Sequence, residues 1–175
     1  MDLAIIAGNS LKNKEWIKAV ANAMGTRFQN VLPHFYQHWE TKENFLNFDS
    51  EVELFSKDLT GKENFSIFAK SAGVMVSLKS IFLKNLLPKK CIFVGMPVYW
   101  ARDNNIQFED WLKNFSIPAL FIQHTNDPVI SSKDLKQLLQ ENNVTNFHLI
   151  EIPGDSHEYP EIEELAKLTA EFIRE

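Results

Sequence analysis

The sequence predicts an α/β fold: a three-layer α/β/α sandwich around a six-stranded, mostly parallel sheet. Three observations carry that prediction. Short apolar runs of strand length alternate six times with segments of helical periodicity. Each crossover is long enough to hold a helix, as parallel neighbours require. No repeat, linker or low-complexity tract interrupts the 175 residues, so 1–175 is expected to form a single domain with one buried core.

Leu3 to Ala7 is a short apolar run stopped by Gly8-Asn9-Ser10, which reads as a buried strand and its turn. Asn13 to Met24 places Trp16, Ile17, Val20, Ala21 and Met24 on one helical face and ends at Gly25. Phe28 to Phe35 is expected as a second strand, with Pro33 inside it, followed by a loop from Tyr36 to Trp39. Ser50 is expected to cap a helix carrying Val52, Leu54, Phe55 and Leu59, closed by Gly61. The third strand begins at Phe65 and runs into a helix with Ala72, Val76, Lys79, Ser80 and Leu83 at helical spacing. Cys91 to Met96 is the fourth strand; an irregular stretch and a helix over Phe108 to Phe115 follow. Pro118 to Gln123 is the fifth strand, and Ser131 or Ser132 caps the helix of Leu135, Leu138 and Leu139. Asn146 to Ile152 alternates enough to be an edge strand, and the last helix covers roughly Glu161 to Ile173.

Composition removes several classes of function. The net charge is −5 with acids and bases interspersed, and no basic stripe suits a phosphate backbone, so no nucleic-acid partner is expected. The apolar runs are too short to span a bilayer, and the N-terminus Met1-Asp2-Leu3-Ala4 has no basic leader pattern. The one cysteine, Cys91, sits in an apolar run and reads as an inert core thiol. A cytoplasmic protein is expected. Gly8-Asn9-Ser10-Leu11-Lys12 has the spacing of neither a dinucleotide nor a phosphate loop, so no nucleotide cofactor is expected. His34 and His38 are four apart, but Pro33 opposes a helix there and no third ligand accompanies them, so no metal is expected either.

In a parallel sheet the loops after each strand gather on one rim, where ligands bind. The rim here collects Gly8–Ser10, Tyr36–Trp39, Ser71, Pro97–Arg102, His124–Asp127 and Gly154–Tyr159. Ser71 lies in Ala69-Lys70-Ser71-Ala72-Gly73, a small-x-Ser-x-small pattern at a strand-to-helix junction. Taken alone, those five residues fit a helix cap better than a nucleophile elbow. A serine nucleophile also needs a base and an acid to orient that base. Asp127 follows the fifth strand and His157 the sixth, so the roles are filled in the order Ser, Asp, His on the same rim.

On these motifs the chain resembles a compact member of the α/β-hydrolase superfamily, without the N-terminal hairpin or a large cap, similar to the small serine hydrolases of the retinoblastoma-binding-protein type. The resemblance covers nearly the whole chain and implies Ser71 as nucleophile, Asp127 as acid and His157 as general base. It also implies an oxyanion hole from the backbone N–H groups of Ala72 and Asn9, the latter because Ala7-Gly8-Asn9 matches a His-Gly-x turn. Ala7 and Ala69 depart from the usual histidine and glycine of that pattern. The implied activity is hydrolysis of an ester, thioester or amide through an acyl-enzyme, with a small-molecule acyl substrate. The competing expectation is a hydrolase-like fold kept as a binding or regulatory protein with no productive site.

Tyr36, Trp39, Tyr99 and Trp100 stand in rim loops, where they either wall an acyl pocket or plug the core beneath it. Lys70, beside the serine, either favours an anionic substrate or points to solvent or a rim acid. His124 and Asp155 are weaker alternatives for base and acid: His124 opens the same loop as Asp127, and Asp155 stands only two residues before His157.

Overall fold

The computed structural model describes every residue of the chain except Lys42. Six strands form one sheet: β1 (Asp2–Ile6), β2 (Asn30–His34), β3 (Phe65–Lys70), β4 (Cys91–Val94), β5 (Ala119–His124) and β6 (Phe147–Ile152). Their spatial order is β2-β1-β3-β4-β5-β6, and every pairing is parallel. All residues of β3, β4 and β5 are buried, which is why these strands read as predominantly apolar runs, with Ser66, Lys70, Gln123 and His124 the buried polar exceptions. The edge strands β2 and β6 are only partly covered, and Pro33 is tolerated because β2 has a free side.

The helices are α1 (Asn13–Gly25), α2 (His38–Thr41), α3 (Phe48–Asp58), α4 (Ala72–Phe82), α5 (Val98–Asp103), α6 (Phe108–Leu112), α7 (Ser132–Glu141) and α8 (Ile162–Arg174). α1 packs with α8, whereas α3 and α6 pack on α4. α1 buries Ile17, Val20 and Met24 at i, i+3 and i+7, the expected apolar stripe. α4 starts at the middle of the sheet and is buried from Ala72 to Leu78.

Local differences from the sequence reading have simple causes. The expected loop at Tyr36–Trp39 runs into the one-turn helix α2. Asn47, not Ser50, caps α3; its side chain accepts from Ser50 N at 3.2 Å, so the helix starts earlier. β4 stops at Val94 because Gly95 adopts φ +59°, outside the strand region. The stretch after β4 holds two short helices, α5 and α6, where one was expected.

One topological detail positions the site. The chain leaves β1 toward β2 and then returns past β1 to β3, so connections from the adjacent strands β1 and β3 depart in opposite directions. Ile6 pairs with Ala69, which brings the turn after β1 beside the junction after β3. Such a reversal opens a crevice at the carboxyl ends of the strands.

Candidate active site

Ser71 stands between β3 and α4 with φ 53° and ψ −125°, a region that side chains rarely occupy. Its backbone is fixed on both sides: Ser71 N donates to Val94 O at 3.0 Å, and Val74 N donates to Ser71 O at 2.8 Å. The hydroxyl makes no capping bond to α4, so the helix-cap reading of Ser71 does not hold. Gly73 lets the junction form. A Cβ there would lie 2.8 Å from the carbonyl oxygens of Ile6 and Ala7, and Gly73 N itself donates to Ala7 O at 3.0 Å.

Three rim residues that are distant in sequence meet at this junction. Ser71 Oγ is 2.8 Å from His157 Nε2, and His157 Nδ1 is 2.8 Å from Asp127 Oδ2 and 3.1 Å from Oδ1. Because Asp127 occupies Nδ1, that nitrogen carries the proton in the neutral ring and Nε2 is left to accept from the serine. Asp127 is itself held by two further donors, Val129 N at 2.9 Å and the Tyr159 hydroxyl at 2.7 Å. Burial and the adjacent carboxylate push the Tyr159 phenol far above its ordinary value, so it stays a donor.

Tyr159 was not singled out from the sequence. Its hydroxyl also accepts from His124 N at 2.9 Å, and the His124 ring stacks on it with centroids 4.0 Å apart. His124 Nδ1 donates to Ser156 O at 2.7 Å, which ties the loop of His157 to β5. His124 is therefore a brace for that loop, while Asp155 is exposed. Gly95 leaves room for the arrangement: a Cβ there would come within 2.5 Å of Tyr159 Cε2 and 3.1 Å of His157 Cε1.

On the other side of Ser71, the Asn9 peptide is gripped from beneath. His38 Nε2 and Trp39 Nε1 both donate to Asn9 O, at 2.7 and 2.9 Å, and Asn9 Oδ1 accepts from Leu46 N at 2.8 Å. Tyr36 is fully buried and donates to Ala7 O at 2.8 Å. His34 lies deeper, between Asp58 at 2.8 Å and Glu51 at 2.9 Å, and Glu51 also accepts from Gln37 N at 2.9 Å. Neither Asn9 N nor Ala72 N has an acceptor among the described residues. Ala72 is in the first helical turn, where N–H groups lack intrahelical partners.

The pocket residues expected from the sequence divide accordingly. Lys70 and Trp100 line a cavity of about 570 Å³ that contains Ser71 and His157. Tyr36 and Trp39 do not line it; they lie under the Asn9 turn, because their polar atoms are consumed by its carbonyls. Tyr99 lies outside, half-exposed beside Arg102. His38, within the stretch expected as a loop, is buried for the same reason as Trp39.

The cavity is completed by the first turns of α1 and by the segment after His157: Lys12, Asn13, Trp16, Glu158 and Pro160. These escaped the sequence reading because Trp16 and Asn13 fit an ordinary amphipathic helix. The available signal was their position immediately after a rim turn. Lys70 is not the solvent-facing residue that the sequence allowed. Only 4% of it is exposed, its Nζ donates to Asn13 Oδ1 at 2.9 Å, and it lies over the Trp16 ring at 4.9 Å. Burial lowers its ammonium group to about 8, against the opposing pull of the Glu158 and Asp127 charges.

The chain matches no protein-family model and no curated protein. It is similar to solved structures along almost its whole length. The esterase Pf2001 from Pyrococcus furiosus is 15% identical with a TM-score of 0.75, the alignment covering 99% of this chain and 82% of that one. Mouse alpha/beta hydrolase domain-containing protein 10 is 13% identical with a TM-score of 0.73, covering 99% and 89%. Est1E from Butyrivibrio proteoclasticus is 16% identical with a TM-score of 0.67, covering 99% and 88%. The fold is that of the α/β hydrolases.

Proposed function

We propose that this chain of α/β-hydrolase fold is a serine hydrolase that cleaves a carboxylic ester, thioester or amide through an acyl-enzyme. The observation that carries the reading is the contact chain from Ser71 Oγ through His157 to Asp127, with both links at 2.8 Å. His157 Nε2 takes the Ser71 proton as Oγ attacks the acyl carbonyl. The oxyanion forms against the N–H groups of Ala72 and Asn9, and a donor of this kind is typically worth ~10²–10³ in rate. His157 then protonates the leaving group and deprotonates the water that releases the acid. Asp127 holds the ring in the required tautomer and stabilises the imidazolium.

Only the short helices α5 and α6 intervene between β4 and β5, so among the described residues no large cap covers the cavity. That favours small acyl groups. In a panel of 4-nitrophenyl esters, short chains are expected to turn over faster than long ones. Among the described residues no helix is long and apolar enough to cross a membrane. The proposed enzyme is cytoplasmic and acts on a small molecule.

The test is intact-mass analysis after exposure to a fluorophosphonate. A single adduct is expected on the wild type and none on Ser71→Ala or His157→Ala. A folded wild type that takes no adduct would overturn the reading in favour of a binding or regulatory protein that retains the fold.

A further inference from the structure

Lys70 is a buried cation with unused capacity. Among the described residues it has no ion-pair partner. An ammonium group carries three donors; one reaches Asn13 Oδ1, and the Trp16 ring faces the charge without accepting a conventional bond. Asn13 is fixed in that orientation because its Nδ2 donates to Ser10 O at 3.2 Å. Isolated buried charges are costly and ordinarily find a counter-ion. Here the corner opens onto the cavity that holds Ser71 and His157. Glu158, which also lines the cavity, does not supply the counter-ion. Its side chain is 75% exposed and stands 3.8 Å from Lys12 at the mouth.

We infer that the Lys70–Asn13 corner is a carboxylate-binding subsite, and that the substrate of this site is an ester or thioester bearing an additional anionic carboxylate. This rests on the reading of Ser71 as the nucleophile. The carboxylate accepts from Lys70 Nζ while Asn13 keeps the amine in place, and the Trp16 face shields the pair from water, which strengthens a charge-assisted bond. The carboxylate can belong to the acyl group or to the leaving group; the subsite chemistry is the same.

Binding to Ser71→Ala, read by calorimetry, tests the subsite without requiring turnover. One arm compares 4-nitrophenyl hemiglutarate with 4-nitrophenyl pentanoate, placing the acid in the acyl group. The other compares 3-acetoxybenzoate with 3-tolyl acetate, placing it in the leaving group. On one arm the acid is expected to bind at least about tenfold more tightly, the lower end for a hydrogen bond to a charged group. That advantage is expected to vanish in Ser71→Ala/Lys70→Met. Lys70→Gln, which keeps a donor toward Asn13, serves if the methionine variant does not fold. Equal binding of acid and neutral ester on both arms, or an advantage that survives loss of the lysine, would overturn the inference. An absent fluorophosphonate adduct overturns the hydrolase reading instead and leaves this binding result standing.

Discussion

Asp127 and Lys70 flank Ser71 and are almost equally sealed from solvent, at 3% and 4% exposure, yet their surroundings differ in kind. Asp127 accepts from His157, Tyr159 and Val129 N, so both of its oxygens are engaged. Among the described residues, Lys70 Nζ has one hydrogen-bond partner, Asn13. A buried carboxyl with its donors in place is pre-organised and does not move when substrate arrives. A buried ammonium with one partner is incomplete until a ligand joins it. On the proposed reading the difference separates a group arranged for chemistry from one arranged for recognition, and variants on each side should therefore fail in different ways.

The largest expected effect is on the Asp127 side. Asp127→Asn should lower kcat by roughly 10⁴, because the amide favours the wrong imidazole tautomer, while substrate binding to the folded protein is unchanged. Ester turnover and calorimetry measured together check this. If instead binding is lost and kcat kept, the contrast is broken.

Lys70→Met should move stability in the opposite direction to function. Exchanging a buried charge for an apolar side chain of similar length is expected to stabilise the fold by about 1–3 kcal/mol in urea titrations at pH 7, with neutral esters still cleaved. The sign with pH follows from the same group. Its folded value of about 8 lies below the ordinary 10.5, so between them the unfolded chain binds more protons. The lysine's cost is therefore full below pH 8 and fades toward pH 10.5. The stability gap between wild type and Lys70→Met should narrow over that window. A gap that stays constant would show that the lysine is not a strained cation.

Tyr159→Phe removes one of the donors to Asp127 and leaves the others. A fall of about tenfold in kcat with KM unaltered is expected, the size of one hydrogen bond to a charged group. The smallest effect belongs to the support beneath Asn9: Trp39→Phe leaves His38 still donating to the same carbonyl, and kcat should drop only about threefold.

Much of the architecture was legible because strands and helices write their periods locally. The six strands and the rim that joins Ser71, Asp127 and His157 follow from apolar runs and crossover lengths, which need no knowledge of tertiary contacts. The orientation of rim side chains was not legible. Tyr36, Trp39 and Trp100 all follow closely on strand ends, yet the first two turn inward to carbonyls of the β1 turn and the third faces the cavity. That choice depends on which unpaired backbone oxygen lies within reach, and the oxygen belongs to residues about thirty positions away. Lys70 is the same problem in reverse: its partner Asn13 is 57 residues distant. Ser50 lost the α3 cap to Asn47 by three residues, a boundary that composition alone does not resolve.

The order in which the parts appear along the chain has a consequence for synthesis. Asn9 and Ser71 leave the ribosome early and can pair through β1 and β3, but Asp127 lies on a later strand's loop and His157 follows the last strand. Tyr159 closes the set just before α8. A nascent chain therefore holds Ser71 without the His157 imidazole beside its hydroxyl until the segment after β6 has been made. Acquisition of the fluorophosphonate label during translation or refolding would accordingly time the final step of assembly.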